Sequence, residues 1–456
     1  MKVVILAGGG GTRLWPFSRQ DYPKQFLVFK DQESLLQKSV KRFVNCKFVE
    51  KILVVTHAHY AHLVEKQLAQ IDPDRKICIL VEPYRKNTAP AIALAVHYIE
   101  EKLGAKSDSS ILVLPSDHLI SPEEVFLSFL ERVKEKKIKN KIVTFGILPN
   151  RPDTGYGYIR VGKKKNSFLF EVEKFVEKPD QEKAKQYLFE GSYYWNAGIF
   201  FFTPEIFWKE IKTHVPHIYS TAQGSYLDLF HAFDQMPEIS IDYAVMEKTK
   251  NILLCPLPVS WSDVGSWDSV YDVLDKDQNS HVKVGNVVDI DTTNSLIVGG
   301  KRLISTIGLR DVLIVETPDA LFMAKKGESQ KVKELIKELQ KRGQKERSEL
   351  SSPFENQAKE VLKEDKNYRI FSHILPAFST ISIEESEGGG IRHFIASSGK
   401  ACVQSAGVEK ILTIGATFSL LPHQVARVEN LEDMGFEMLE IDCGSFCKDG
   451  AFSLKE

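Results

Sequence analysis

The stretch Leu6-Ala7-Gly8-Gly9-Gly10-Gly11-Thr12-Arg13-Leu14-Trp15-Pro16, continued by Ser18-Arg19 and Pro23-Lys24-Gln25, decides the reading of this chain. It follows Val3–Ala7, a short apolar run with the β-branched content of a buried strand. Consecutive glycines after a first strand permit positive φ and turn backbone N–H groups toward an anion. Arg13, Arg19 and Lys24 bring positive charge to the same loop, as a triphosphate requires. A glycine cluster alone reads equally well as a flexible turn. Cations and a Pro-Lys pair directly behind it favour phosphate. Neither a GxGxxG dinucleotide fingerprint nor a GxxxxGK[ST] loop fits, which argues against NAD binding and P-loop hydrolysis.

Outward from this loop, Lys51–Thr56, Ile77–Val81, Ile111–Pro115 and Lys141–Ile147 read as further buried strands. Helical patterns such as Ser34–Phe43 and Ala89–Leu103 lie between them. The alternation predicts an α/β, Rossmann-like domain over residues 1–275, with a mixed but mostly parallel sheet. Ligands in such sheets bind beyond the carboxyl ends of the strands, so the loops after Ala7, Val81 and Pro115 share one rim. Gly285–Asp291, Ser295–Val298, Leu303–Ile307 and Val312–Glu316 are short strands resembling an irregular stack of β-coils. With a helix carrying Val332, Leu335, Ile336 and Leu339, they make up a β-helix-like segment, 276–345. A charge-rich linker is expected over 346–367, and a small all-β barrel over 368–456.

The 456 residues exceed one ordinary core. Sixty Lys and Arg stand against 61 Asp and Glu, a net charge of -1. No global basic field is therefore present to hold nucleic acid, and phosphate must be met by local charge. No apolar run approaches the roughly 18 residues of a membrane span, and the six scattered cysteines read as reduced thiols, so a cytoplasmic setting is expected. Cys443 and Cys447 could chelate a metal, but no second pair accompanies them.

Further stretches complete a pattern: Glu82-Pro83 with Asn87-Thr88-Ala89-Pro90-Ala91, Leu114-Pro115-Ser116-Asp117-His118, Phe175-Val176-Glu177-Lys178-Pro179, Trp195-Asn196-Ala197-Gly198, Ser240–Glu247 and Trp261-Ser262-Asp263-Val264-Gly265. Together with the glycine loop they resemble the bacterial mannose-1-phosphate guanylyltransferases, from residue 1 to about residue 350. The resemblance implies GTP and mannose 1-phosphate as substrates and Mg²⁺ as cofactor, held by Asp117 and Asp263. It implies nucleotide contacts at Leu6, Ala7, Gly8, Gly9, Gly11, Thr12, Arg13, Lys24, Asn87, Ala89, Pro115 and Asp117. Lys178 would meet the sugar 1-phosphate, with Gly155, Glu177, Asn196 and Asp263 around the sugar; Asp242 would lie nearby. One departure is Lys86-Asn87-Thr88, preceded by Arg85, where the family usually has Arg-Asn-Thr; a bidentate contact is lost or shifted. A homodimer is expected, with no nucleic-acid or membrane partner.

A sugar phosphate is largely dianionic near neutral pH, its second pKa being about 6, and needs no general base. Catalysis then reduces to positioning and charge neutralisation by the metal, Arg13, Lys24 and Lys178. The C-terminal barrel resembles the cupin-like phosphomannose isomerase domain of long family members. Its metal-ligand run is replaced by Glu384–Gly390, with His393 nearby, His423 in a Pro-His-Gln turn and Arg427 where a later His is expected. The expectation is therefore a domain without isomerase activity. Alternative readings are a uridylyl-, thymidylyl- or adenylyl-type transferase, a non-catalytic sugar-nucleotide sensor, and a bifunctional enzyme.

Overall fold

A computed structural model of the chain describes residues 1–29, 33–72, 77–342, 360–364, 368–375, 380–383, 390–432 and 436–442. The chain divides into two compact units, Met1–Glu316 with Ala320–Leu350, and Thr317–Asp319 with Ser351–Glu456.

The first unit is built on strands β1 (Lys2–Leu6), β2 (Lys51–His57), β3 (Cys78–Glu82), β4 (Ile111–Pro115), β5 (Leu119–Ser121), β6 (Ile142–Ile147), β7 (Tyr158–Lys164), β8 (Phe170–Val176), β9 (Tyr193–Phe202), β10 (Ile252–Pro256) and β11 (Ser260–Ser262). Nine of them form one sheet in the order β3-β2-β1-β4-β9-β6-β10-β8-β7, while β5 and β11 make a separate antiparallel ribbon. The strands β3-β2-β1-β4 run parallel, as does the pair β6–β10. Strand β9 is antiparallel to β4 and β6, and β8 and β7 continue antiparallel at the far edge. Val3, Val4 and Ile5 of β1 are 0% exposed, because helices cover both faces of the parallel half. The helix Leu35–Val44 starts at a capping box in which the Ser34 and Gln37 side chains each accept from the other's backbone N–H. Thr88–Glu101 is apolar on nearly every side and runs through the main core cluster.

The β-helix segment belongs to this first unit. Its strands are β12 (Val282–Val284), β13 (Val287–Ile290), β14 (Leu296–Val298), β15 (Ile304–Ile307), β16 (Val312–Glu316) and β17 (Leu321–Lys325). Strands β12-β14-β16 stack in parallel, as do β13 and β15, and β17 closes the stack antiparallel to β16. The helix Val332–Lys341 follows.

The second unit carries two sheets, β18-β19-β26-β21-β24 and β20-β25-β22-β23. These strands are β18 (Glu360–Glu364), β19 (Arg369–Leu375), β20 (Thr380–Ile383), β21 (Arg392–Ser398), β22 (Ala401–Ser405), β23 (Val408–Leu412), β24 (Thr417–Leu420), β25 (Ala426–Asn430) and β26 (Phe436–Asp442). Both sheets give apolar side chains to one core, including Phe394, Val403, Val428 and Met438, in a cupin-like all-β arrangement. Strand β18 occupies a place assigned to the linker, where alternation is too short to stand out among charges. His393 is exposed and hydrogen-bonds Ser419 at 2.8 Å; His423 and Arg427 are exposed too. Neither histidine faces the barrel core. The replaced ligand run, over 384–389, and Cys443 and Cys447 lie outside the described residues.

Candidate active site

The glycine loop leaves β1 under tight backbone control. The Ala7 N–H donates to the Val55 carbonyl at 2.7 Å, and the buried Gln25 amide donates to the carbonyls of Ala7 at 3.1 Å and Gly9 at 2.9 Å. The Lys24 N–H closes the loop on the Gly11 carbonyl at 3.3 Å. Arg13 is partly exposed and makes no hydrogen bond or ion pair among the described residues. Arg19 corrects an expectation. It is 0% exposed, its Nε donates to the Pro16 carbonyl at 2.6 Å, and its guanidinium stacks 5.4 Å from the Trp15 ring. That charge supports the turn and does not reach the loop's open side.

A cavity of about 440 Å³ opens against this loop, a volume suited to a small organic ligand. It joins Leu6, Gly8, Gly9, Asn87, Pro115 and Asp117, all singled out in the sequence. Ala7, Gly11 and Thr12 shape the loop behind it without lining it. Ala89 is 0% exposed and its N–H is engaged by the Ile239 carbonyl; Thr88 and Ala91 form that wall instead. The reason is the helix start. Asn87, at φ 69°, accepts from the Thr88 N–H and turns Ala89 into the core.

Two cavity residues had no role from sequence. Glu82, at the end of β3, is 5% exposed, and burial raises its carboxyl to about 7 against the lowering pull of Arg85. Gly8 makes room for it, since a Cβ there would lie 2.3 Å from Glu82 Oε1. Arg85 is fixed by a 2.8 Å bond to the Tyr60 hydroxyl and by stacking 5.0 Å from its ring. The cation displaced by the Lys86-Asn87 departure therefore still lines the cavity.

On the rim after β4, the Lys24 ammonium bridges two acidic residues. It lies 2.9 Å from Asp117 Oδ2 and donates to the Asp263 carbonyl oxygen at 2.6 Å. Burial pushes the Asp117 carboxyl up, but Lys24 and His118 outweigh it and hold it below the ordinary range. His118 accepts at Nδ1 from the Trp261 indole N–H at 3.3 Å, leaving its Nε2 side 3.7 Å from Asp117 Oδ1. Burial lowers its pKa, more than Asp117 raises it. Asp263 accepts from the Tyr156 hydroxyl at 2.9 Å and from the Gly265 N–H at 3.1 Å. The next residue, Val264, is buried at φ 48°. A β-branched residue there is strained, and such strain concentrates at functional turns.

Beyond Tyr156 lies a second polar cluster. Lys178, at φ 46°, pairs with Glu177 Oε1, while Glu177 Oε2 is buried with no hydrogen-bond partner among the described residues. Asn196 donates from Nδ2 to Asp242 Oδ1 at 2.9 Å, and its Oδ1 accepts from the Gly198 N–H at 3.1 Å. Burial, then the Glu177 charge, raises the Asp242 carboxyl. Burial lowers the Lys178 ammonium, but bonding to Glu177 more than restores it. Gly155 is exposed and its N–H is engaged by Asp153 Oδ1 at 2.9 Å, so that donor is not free for a ligand. Gly157 is the glycine that meets this cluster: a Cβ there would lie 2.4 Å from Glu177 Oε2 and 3.2 Å from Asn196 Cβ. Asp242 opens a five-residue π-helical turn, Asp242–Met246, a distortion common at functional sites.

The Nucleotidyl transferase family matches residues 2–280, and the MannoseP isomerase/GMP-like beta-helix domain matches residues 285–339. With the fold, the first of these matches, which covers more than half of the chain, defines a nucleotidyltransferase. The putative mannose-1-phosphate guanylyltransferase of Vibrio cholerae is 33% identical over 97% of both chains. Mannose-1-phosphate guanylyltransferase 2 of Escherichia coli O157:H7 is 34% identical over 97% of this chain and 95% of its own. A solved structure described as mannose-1-phosphate geranyltransferase from Thermus thermophilus is 29% identical, with a TM-score of 0.66, covering 74% of this chain and 98% of that one. The chain belongs to the mannose-1-phosphate guanylyltransferase family.

Proposed function

We propose that this protein transfers a guanylyl group from GTP to mannose 1-phosphate, forming GDP-mannose and pyrophosphate. The observation that carries the reading is a row of neighbouring polar groups that runs from the cavity to the sugar cluster. Glu82 and Asp117 line the same cavity; Asp117 joins Lys24, Lys24 joins Asp263, Asp263 joins Tyr156, and beyond Tyr156 lie Gly157, Glu177 and Lys178. Base, reacting phosphate and sugar phosphate follow one another in that order.

Glu82 supports guanine by complementarity. A carboxylate offers two adjacent acceptors, and guanine presents two adjacent donors, N1–H and the 2-amino group. Adenine and cytosine each pair a donor with an acceptor on that edge. Uracil and thymine flank one N–H with oxygens that a carboxylate repels. A site built around such donors rejects bases lacking them. The sugar assignment rests on the names of the relatives and on the cluster of Glu177, Lys178, Asn196 and Asp242.

The donor set fits a hard divalent ion. The Asp117 carboxylate and the Asp263 backbone carbonyl both meet the Lys24 ammonium, the Asp263 carboxylate is held nearby by the Tyr156 hydroxyl and the Gly265 N–H, and all these donors are oxygens. Among the described residues no cluster of three His, Cys, Asp or Glu exists, so phosphate oxygens and water would complete the shell, as Mg²⁺ prefers. Bound there, Mg²⁺ would supply positive charge beside the α-phosphate. The chain's own residues do the rest. Lys178 holds the sugar phosphate, whose oxygen attacks the α-phosphorus in line. The bond from the α-phosphorus to the β-bridging oxygen breaks, and pyrophosphate leaves toward Arg13. Lys24 and Arg13 balance the charge of the transferring and leaving groups. His118 is held by Trp261 and needs to take no proton. No covalent nucleotidyl-enzyme forms. Among the described residues no helix is long and apolar enough to cross a membrane. The reading includes a homodimer of the 51.7 kDa chain, which light scattering checks.

Initial rates with mannose 1-phosphate and GTP, ITP, ATP, UTP or dTTP test the assignment. GTP is expected to be favoured, with ITP, which lacks the 2-amino donor, about tenfold poorer in kcat/KM. Equal use of ITP and GTP, or preference for UTP, would refute guanine recognition.

A further inference from the structure

The glycine loop and the sugar cluster both lie within residues 2–280, yet the helix Val332–Lys341 is tied to them from outside that range. Asp268 sits just after the Asp263 turn. Its carboxylate accepts from the Gly327 N–H at 2.6 Å, the Ser329 N–H at 3.3 Å and the Ser329 hydroxyl, locking the turn that leads into the helix. Its neighbour Trp267 donates to the Trp15 carbonyl at 2.8 Å, two residues beyond Arg13, and the Trp15 ring meets Phe322 of β17 edge-on at 6.2 Å. Val332 is buried at 2%, which fixes the first helical turn and leaves Lys333 exposed beside it. The positive charge of Arg13, and less strongly that of Lys178, acts on the Lys333 ammonium.

Neither the Arg13 nor the Lys333 side chain has a hydrogen bond or ion pair among the described residues. Of the other lysines of this helix region, Lys331 pairs with Glu328 and Lys341 with Glu338, whereas Lys337, one turn beyond Lys333, has no ion pair among the described residues and adds its charge to that of Arg13. Unmatched like charges brought together by a fixed scaffold disfavour each other unless an anion sits between them. From the geometry we propose that Lys333, delivered by the β-helix segment, joins Arg13 in binding the pyrophosphate portion of the nucleoside triphosphate. The inference deepens the guanylyltransferase reading and rests on it. Arg13 first, then partial burial and Lys178, holds the Lys333 ammonium below its usual range, as expected of a cation awaiting such a partner. On this account the transferase domain alone lacks one of its phosphate contacts.

The test uses the full chain with inorganic pyrophosphate and Mg²⁺, read by calorimetry, beside steady-state kinetics in both directions. Lys333→Ala is expected to weaken pyrophosphate binding about fivefold, the worth of a solvent-exposed ion contact. It should raise KM for GTP and for pyrophosphate while leaving KM for mannose 1-phosphate and GDP-mannose near wild type. Lys333→Glu should do more, Lys333→Arg should recover most of the affinity, and Lys341→Ala should change nothing. Unchanged pyrophosphate affinity in Lys333→Ala, with GDP-mannose synthesis intact in the wild type, overturns this inference alone. A rise confined to KM for mannose 1-phosphate also overturns it. A wild-type chain that binds no pyrophosphate overturns it together with the reading beneath it.

Discussion

Glu82 shows how much a single side chain's surroundings decide. A carboxyl raised to about 7 by burial is only partly ionised at neutral pH, yet guanine's donors need the ionised form. The ionised fraction grows as pH rises through 7, so KM for GTP is expected to fall between pH 6 and pH 8, measured at saturating mannose 1-phosphate. Glu82→Gln keeps the size but loses an acceptor and the charge. About 1.5–3 kcal/mol of charge-assisted bonding should go with it, raising KM for GTP roughly ten- to a hundredfold and flattening its pH dependence. KM for the sugar phosphate should hold. Asp117, Lys24, Lys178 and Asn196 were legible as candidate site residues because ordered motifs carry them. Glu82 was visible only as part of a Glu-Pro pair, since nothing in one dimension shows a carboxylate facing a glycine across a cavity. Arg19 misled for the opposite reason: proximity in sequence does not reveal that a guanidinium turns under its own loop.

Among elements, the strands of the parallel half were read closely because buried parallel strands are short continuous apolar runs. Ile111–Pro115 and Val312–Glu316 coincide with expectation, and β1 to β3 differ by a residue or two at their ends. The antiparallel entry of β9 between β4 and β6 was not legible, because strand direction depends on long-range pairing. Nor was the identity of the glycine beside the sugar cluster. Gly155 and Gly157 share one motif, and only the strand register sets Gly157 against Glu177. Gly157→Ala is expected to displace the Glu177 carboxylate and raise KM for mannose 1-phosphate about tenfold or more, with KM for GTP little changed; steady-state kinetics decides this. Asp268→Ala removes the acceptor that locks the Gly327–Ser329 turn. It should destabilise the first unit by about 1.5–3 kcal/mol, seen as a melting temperature lower by a few degrees.

At the scale of the molecule, every residue placed in the proposed reaction belongs to the first compact unit. A chain ending at Arg342 is therefore expected to keep its kcat within a few fold of the full chain's. Loss of turnover despite a folded product would assign the second unit a part in the chemistry. That second unit is expected to form no mannose 6-phosphate from fructose 6-phosphate with added Mn²⁺, Co²⁺ or Zn²⁺, a coupled assay being the check. In the proposed reaction the anion cradle, Asp117 with Asp263, and the sugar-phosphate cluster form one transferase centre. The most direct test is the stoichiometric yield of GDP-mannose and pyrophosphate from GTP, mannose 1-phosphate and Mg²⁺, compared with Asp117→Asn. One product of each per turnover is expected, with the variant slower by on the order of a hundredfold or more. Tight binding of both substrates without turnover, or an Asp117→Asn variant as fast as wild type, would contradict the account.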